Sequence, residues 1–485
     1  MTDKAGFLER RLAGEQQVLA RPLGVLVQKA PVVCREHQSI REAVGLMRDR
    51  DVGSVVVVDE QGRPVGIFTT WDLVATAARG IDEYPVSEVM TRAPFALPDH
   101  AMAYEAALAM IGMGIRHVLV EGDGRLLGVV SERDLFSLQR LGLGEITAEI
   151  RLAASLEMLV ELAGEIRKLA RLLVEEGVAA EQLTRFISVL NDRLSQRVLE
   201  IERKKHQWEG ISWCWLAFGS EGRFEQTFST DQDNGIIFAA HGNASADSIR
   251  ARLLPFARDV NEGLDACGFP LCKGNVMASN PKLCLSLEEW KMKIGGWVAK
   301  SEPTALLDAA ISFDFRPLFG DGSLAVALRE WVHPLARANP AFLRFMAESA
   351  LESRPPLGML RDFATDVAHD RPHSVNLKLN GARPFIDSAR IYALAHGISH
   401  TNTAERLRAV RTRIGMGVAE AEGLIRAFFL IQGLRLRVQA GMQPGEEGAN
   451  HVEPDKLDDF ERRVLKEAFL QARKLQSRLA LDYQI

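Results

Sequence analysis

Ile211-Ser212-Trp213-Cys214-Trp215-Leu216-Ala217-Phe218-Gly219-Ser220-Glu221-Gly222-Arg223-Phe224-Glu225-Gln226-Thr227-Phe228-Ser229-Thr230-Asp231-Gln232-Asp233-Asn234-Gly235-Ile236-Ile237-Phe238-Ala239 is the stretch on which the reading of this chain turns. The apolar run from Ile211 to Phe218 reads as a buried strand that stops at Gly219-Ser220. A short helix-compatible segment follows, Glu221 to Thr227, and a second apolar strand begins at Ile236. Glycine after a strand lets backbone amides approach a phosphate, and a helix start favours negative charge. Asp231 and Asp233 are two apart, so on an extended chain they project from one face. Two convergent carboxylates hold Mg²⁺ or Mn²⁺ and bridge it to a triphosphate. Arg223 is a candidate to offset phosphate charge as pyrophosphate leaves.

Gly-Ser, a gap of about ten, then Asp-x-Asp resembles the polymerase-β-type nucleotidyltransferase fold. The fuller form here, Gly219-Ser220-x-x-Arg223-x-Glu225 followed by Asp231-x-Asp233, is similar to the PII-protein uridylyltransferase and glutamine-synthetase adenylyltransferase group. The resemblance implies an enzyme that moves a nucleoside monophosphate from an NTP to a hydroxyl, with a protein as acceptor. It places Asp231 and Asp233 as catalytic and metal-binding, and Gly219, Ser220, Arg223 and Glu225 at the nucleotide. Lys273 is a further phosphate candidate, although Gly274-Asn275 after it excludes a P-loop. Such enzymes use a third carboxylate on a neighbouring strand. The next strand candidate, Phe269 to Met277, has no acid. Asp314 is either a substitute or a buried partner of Arg316, and its apolar flanks favour the partner. The missing acid favours a degenerate, non-enzymatic nucleotide sensor. The intact Asp231 and Asp233 favour a transferase acting on a protein or on a small molecule.

The first third of the chain repeats itself. Gly62-Arg63-Pro64-Val65-Gly66-Ile67-Phe68-Thr69-Thr70-Trp71-Asp72-Leu73 returns as Gly124-Arg125-Leu126-Leu127-Gly128-Val129-Val130-Ser131-Glu132-Arg133-Asp134-Leu135. Each copy follows a helical segment, Ser39 to Met47 or Tyr104 to Met113, and a strand-like run, Ser54 to Val58 or His117 to Val120. With Val89-Met90-Thr91 before the second copy, the pattern resembles a pair of cystathionine-β-synthase (CBS) domains. In that family the hydroxyl residue contacts phosphate and the Asp three residues later contacts ribose. The matching positions are Thr69 with Asp72 and Ser131 with Asp134, and the implied effector is an adenine nucleotide. Thr69 and Ser131 also suit plain helix caps, a role compatible with ligand contact. Trp71 stands where the second copy has Arg133, so the two sites differ. CBS pairs also imply a homodimer.

The expected organisation is an N-terminal helix over 1–20, the CBS pair over 21–142, a helical connector over 143–205, the transferase core over 206–300 and a helical substrate-binding domain over 301–485. The fold class is thus α/β plus all-α. In the connector, Leu152, Leu156, Leu159, Ile166, Leu169 and Leu173 form one helical stripe, and Leu183 to Val198 a second, with Gly177 as a C-cap between them. Farther on, Ala404 to Ile414 and Gly417 to Val438 read as helices, the latter with an apolar face of Leu424, Phe428, Ile431, Leu434 and Leu436. Lys378, Arg390, Arg406 and Arg408 read as solvated charges or substrate contacts. His369-Asp370, without companion ligands, reads as a chance match to a metal dyad. Cys272 to Pro281, Trp290, Trp297 and Phe313 to Asp321 extend the resemblance to signal-transduction nucleotidyltransferases joined to CBS pairs.

Composition sets the outer bounds. A net charge of −5 lacks the basic excess of a general nucleic-acid binder, so DNA is not an expected partner. The five cysteines form no CxxC and read as free thiols in a reducing cytosol. No uncharged apolar run approaches the roughly 18–20 residues of a membrane span, and the opening residues lack a signal-peptide core. The expectation is a cytoplasmic protein that does not enter a membrane.

Overall fold

A computed structural model of the chain describes residues 21–27, 29–50, 52–70, 72–73, 83–113, 115–131, 143–206, 211–239, 245–300, 311–358, 363, 373–442 and 448–485. The chain divides into two compact units, Met1–Glu145 and Ile146–Ile485.

In the first unit the repeat folds twice in the same way. Copy one contains β1 (Val33–Arg35), α2 (Ile40–Arg50), β2 (Ser54–Val58) and β3 (Pro64–Thr69), after a short helix α1 (Leu23–Leu26). Copy two contains β5 (Ala96–Pro98), α3 (Ala103–Met113), β6 (His117–Gly122) and β7 (Arg125–Ser131), preceded by β4 (Thr91–Arg92). The sheets run β1-β2-β3-β4 and β5-β6-β7. In each copy the first strand is parallel to the second, and the second pairs antiparallel with the third. The hairpins turn at Gly62 (φ +79°) and Gly124 (φ +72°), left-handed positions that favour glycine.

The lead-in segments are exchanged between copies. The amides of Leu23 and Gly24, ahead of copy one, donate to the carbonyls of Ala101 and Asp99 in copy two. Val86 and Met90, ahead of copy two, sit in the core of copy one. The repeated strand glycine makes the room: a Cβ on Gly66 would fall 2.2 Å from Met90 Sδ, and one on Gly128 2.3 Å from Val27 Cγ1. Val56, Val58 and Ile67 meet Leu119 across the two sheets and join the copies.

The second unit opens with three helices, α4 (Leu143–Leu152, which begins in the first unit's range), α5 (Leu156–Glu175) and α6 (Ala180–Arg203). The connector stripe is broken where one continuous helix was expected. Ser155, extended in backbone, stands before a new helix, and Leu152 is 70% exposed. Gly177 does end α5 in a left-handed conformation (φ +74°). A four-stranded sheet follows, built from β8 (Ser212–Ala217), β9 (Asn234–Ala239), β10 (Cys284–Ser286) and β11 (Arg316–Gly320) in the order β10-β9-β8-β11. Between the strands lie α7 (Gly219–Gly222), α8 (Ala246–Ala266) and α9 (Leu287–Lys300). Phe269 to Met277 forms turns instead of the expected strand, and β10 takes its place. Pro270, Gly274 and Asn275 (φ +55°) explain the difference.

Among the described residues the later α-helices are α10 (Ser323–Arg337), α11 (Pro340–Ala350), α12 (Arg383–His396), α13 (Thr403–Val410), α14 (Val418–Ala440) and α15 (Asp459–Tyr483). The expected face of α14 is buried throughout. One apolar core runs from Phe218 and Ile237 in the sheet region through Trp290 and Phe342 to Phe385, Phe428 and Phe469, so sheet and C-terminal helices fold as one body. The fold is α/β with all-α parts. Among the described residues no helix is long and apolar enough to cross a membrane.

Candidate active site

β8 and β9 run antiparallel with Ala217 opposite Asn234, so the exit from β8 and the approach to β9 are neighbours. The Phe218 amide donates to the Asp233 carbonyl at 2.8 Å. The two acids lie in the extended residues just before β9, yet the two-residue alternation holds: Asp231 is exposed, Gln232 buried and Asp233 half-buried. Gln232 is the anchor. Its Nε2 donates to the carbonyls of Asn261 (2.9 Å) and Phe269 (2.8 Å), and its Oε1 accepts from Asn261 Nδ2 (2.7 Å). Asn234 Oδ1 accepts from Asn261 Nδ2 and from the Ala278 amide. Both amide neighbours are thus tied inward, which fixes Asp231 and Asp233 on the open side.

Asp233 lies against the Gly-Ser turn. Gly219 has φ +54°, and a Cβ there would sit 2.6 Å from Asp233 Oδ2. Only glycine tolerates both that backbone and that carboxylate. Gly219 begins α7, whose first-turn amides have no intrahelical acceptors. Burial pushes the Asp233 carboxyl up to about 6. The Lys378 ammonium opposes the rise, Asp231 adds to it, and the Cys272 thiol and Arg223 oppose it. Cys272 Sγ donates to Asp233 Oδ1 at 3.6 Å. Lys273, next in the chain, is exposed on that same turn.

Three features here add to the sequence reading. Lys378 is an exposed lysine on the π-helical turn Leu377–Ala382, whose charge reaches Asp233 from far along the chain. Cys272 touches Asp233. Glu221, inside the Gly-Ser motif, is buried; burial, reinforced by Asp192 and Asp233 and opposed by Arg316, pushes its carboxyl up to about 8. Sequence alone carried a signal for Lys378, as a basic residue of the substrate-binding part, and for Glu221, as an acid within the motif, but none for Cys272 against Asp233.

Arg223 and Glu225 are engaged inside the protein and do not face the open side as phosphate contacts, because both are buried. Arg223 donates from Nε to Glu225 (2.7 Å) and from Nη1 to Asp314 (2.6 Å). Glu225 Oε1 accepts from the Thr403 amide at 2.7 Å, and Asn402 donates to the Arg223 carbonyl at 3.0 Å. Asp314 is fully buried and accepts from three arginines: Arg223, Arg390 (3.0 and 2.6 Å) and Arg406 (2.6 Å). Burial pushes its carboxyl up, but the three guanidinium groups outweigh that and hold it well below the usual carboxylate range. Asp314 is therefore a buried ion-pair partner, though not of Arg316, which binds Asp192 and the Glu221 carbonyl. Arg390 and Arg406 are not solvated charges. Arg408 lies at the surface with Glu181 and Glu422.

In the first unit, Thr69 and Asp72 cap a helix start together. The Thr69 amide and hydroxyl donate to Asp72 Oδ2 at 2.8 and 2.7 Å, and the Asp72 amide donates back to Thr69 Oγ1 at 3.4 Å. Ser131 ends β7. Asp134, Trp71, Arg133 and the His369-Asp370 pair lie outside the described residues.

Three family models match four stretches of the chain. Residues 24–79 and 86–140 match the CBS domain. Residues 164–304 match "Putative nucleotidyltransferase DUF294", and residues 340–483 match "Putative nucleotidyltransferase substrate binding domain". The chain belongs to the CBS-linked DUF294 nucleotidyltransferases. The DUF294 match contains the Gly-Ser turn, Asp231 and Asp233, and the substrate-binding match contains Lys378, Arg390 and Arg406. An uncharacterized 17.7 kDa protein of Acidianus ambivalens is 35% identical over 104 residues, 21% of this chain and 63% of that protein. The inosine-5'-monophosphate dehydrogenase of Mycobacterium bovis is 28% identical over 180 residues, 36% of this chain and 33% of that enzyme. This chain thus spans less than two thirds of the curated relatives it matches. A solved CBS-domain protein from Pyrobaculum aerophilum, complexed with AMP, is 28% identical and covers 24% of this DUF294 chain and 89% of its own, with a TM-score of 0.23.

Proposed function

We propose that the chain transfers a nucleoside monophosphate from an NTP to a hydroxyl on a protein acceptor, under control of an adenine nucleotide read by the CBS pair. The observation that carries this reading is Asp233 set against the Gly219 turn, with Asp231 exposed two residues before it and Gln232 locked inward between them.

The donor set fits a divalent cation. Among the described residues, no group of three or more His, Cys, Asp or Glu is arranged to hold a metal. A pair of carboxylates is what Mg²⁺ takes when triphosphate and water supply its other ligands. Asp231 and Asp233 would hold it, and when bound it would neutralise triphosphate charge and polarise the α-phosphoryl group.

The chain's own residues do the rest. Gly219 keeps the turn close to Asp233, and the first-turn amides after it favour an anion. Lys378 adds positive charge from the substrate-binding part of the chain, and that charge favours the ionised Asp233. In the transfer, the acceptor oxygen bonds to the α-phosphorus, the bond from that phosphorus to the bridging oxygen breaks, and pyrophosphate leaves with that electron pair. The acceptor proton passes to solvent or to a base. In the CBS pair, Asp72 supplies a carboxylate that accepts both hydrogen bonds of a ribose diol. The pair also supplies the surface for a homodimer.

The test uses the full chain with each α-labelled NTP, Mg²⁺ and PII-type proteins or a cell lysate. The expected result is label on a protein, reduced about a thousandfold by Asp231→Asn, the equivalent of about 4 kcal/mol of transition-state stabilisation. Label on a small molecule would move the acceptor class, and equal labelling by the variant would overturn the site.

A further inference from the structure

We propose that the second unit holds a monatomic anion of chloride size in a small cavity beside the Asp314 cluster, lined by Arg329, His333, His400 and Arg406. The site is separate from the nucleotide site and does not depend on the transferase reading.

The cavity measures about 10 Å³. That gives room for one water or one small ion, with His400 exposed at the mouth. Its walls come from α10, which brings Arg329 and His333, from the loop after α12, which brings His400 and Thr401, and from α13, which brings Arg406. Phe313 and Phe315 close the apolar side.

The charges do not balance. Arg329 stacks on the Phe315 ring, 4.8 Å to the centroid, and donates to the Phe315 carbonyl; among the described residues it forms no ion pair with a carboxylate. Arg406 spends Nε on the His400 carbonyl (2.8 Å) and Nη1 on Asp314 (2.6 Å). Asp314 is already shared with Arg223 and Arg390. The other acid nearby, Glu405, pairs with His400 at 3.3 Å. Two guanidinium groups and two imidazoles therefore line a space near which, among the described residues, the acids Asp314 and Glu405 are already shared.

The titration of these groups agrees. Burial lowers the Arg329 pKa and Arg406 lowers it further. Burial lowers the His333 pKa, and Arg329 and Arg406 add to that. A neutral water would leave this repulsion in place. An anion would remove it and collect charge-assisted N–H donors, which are worth about twice neutral ones. Chloride would then brace the cluster that joins the C-terminal helices to the Gly-Ser turn.

Bromide gives the direct test. Crystals of the full chain soaked in sodium bromide should show an anomalous peak in this cavity. In solution, the melting temperature of the chain should rise with sodium chloride relative to sodium gluconate at equal ionic strength. Arg329→Gln should shift the half-saturating chloride concentration at least tenfold. A cavity without an anomalous peak, equal melting in the two salts, or a chloride response that survives Arg329→Gln would each overturn the proposal. The soak of the unmodified protein decides the matter even if the variant fails to fold.

Discussion

Asp314→Asn removes one negative charge from a site where three guanidinium groups meet, and the structure sets the size of the consequence. Asp314 accepts four hydrogen bonds from Arg223, Arg390 and Arg406 and is fully buried. Asparagine keeps the shape but loses the charge, and its NH₂ meets donors. Removing one member of a buried ion pair costs about 3–5 kcal/mol, because the partner charge stays buried and uncompensated. Three partners put this case at the upper end. A loss near 5 kcal/mol is a large share of the roughly 5–15 kcal/mol that holds a typical domain folded. The arginines do not suffer equally. Arg223 retains Glu225 and Arg390 retains Asp387, whereas Arg406 has only Asp314 among the described carboxylates. Asp314→Asn/Arg406→Met should therefore recover part of the loss, with a coupling of about 1–3 kcal/mol. Calorimetry of the full chain suits the assay, since the two units should melt separately and the CBS unit serves as an internal reference. The unit beginning at Ile146 should melt on the order of 10 °C lower in the single variant. A shift of under about 1 °C, or a double variant less stable than the single one, would refute the reasoning.

Three further outcomes follow from the site. Gly219→Ala forces a left-handed backbone, about 1–2 kcal/mol, and drives a methyl into Asp233; Mg²⁺-dependent nucleotide binding should fall at least tenfold in calorimetric titration while the protein stays folded. Lys378→Ala should leave the melting temperature within error, because the side chain is exposed, and should raise the Kd for Mg·NTP on the order of tenfold, about 1.4 kcal/mol. Glu221 ionises near 4.5 when unfolded and near 8 when folded, so the folded form holds its proton longer; its contribution is full below the unfolded value and is lost as pH rises to about 8, at up to about 1.4 kcal/mol per pH unit. Glu221→Gln should flatten the fall of melting temperature between pH 6 and 8, measured in EDTA.

What was legible in the sequence was what the chain keeps together. Gly219, Ser220, Asp231 and Asp233 stand within one β-turn-β unit, so closeness in sequence is also closeness in the fold. The CBS repeat was legible because the same turn glycines and strands occur twice, although the exchange of lead-in segments required Gly66 and Gly128 to be seen against Met90 and Val27. Residues that meet only through the fold were not legible. Arg390 and Arg406 lie 76 and 92 positions from Asp314, and surface arginines look the same in a sequence as buried ones. Lys378 was named as a basic candidate, but the action of its charge on Asp233 was hidden for the same reason. Arg223 was misjudged because a motif arginine beside a phosphate-binding turn has the same local pattern whether it faces the ligand or the core. The Phe269–Met277 run misled through its apolar residues, where Pro270, Gly274 and Asn275 already favoured turns.

The most direct measurement is Mg²⁺-dependent binding of non-hydrolysable NTP analogues, one for each base, to the full chain and to Asp231→Asn and Asp233→Asn. The account predicts that at least one analogue binds the parent tenfold or more tighter with Mg²⁺ than with EDTA, and that either substitution abolishes this gain. Nucleotide held in the CBS pair alone would be indifferent to both substitutions. Affinity that ignores Mg²⁺, or a Mg²⁺ gain that survives in both variants, would contradict the assignment of Asp231 and Asp233 as the nucleotide-metal site.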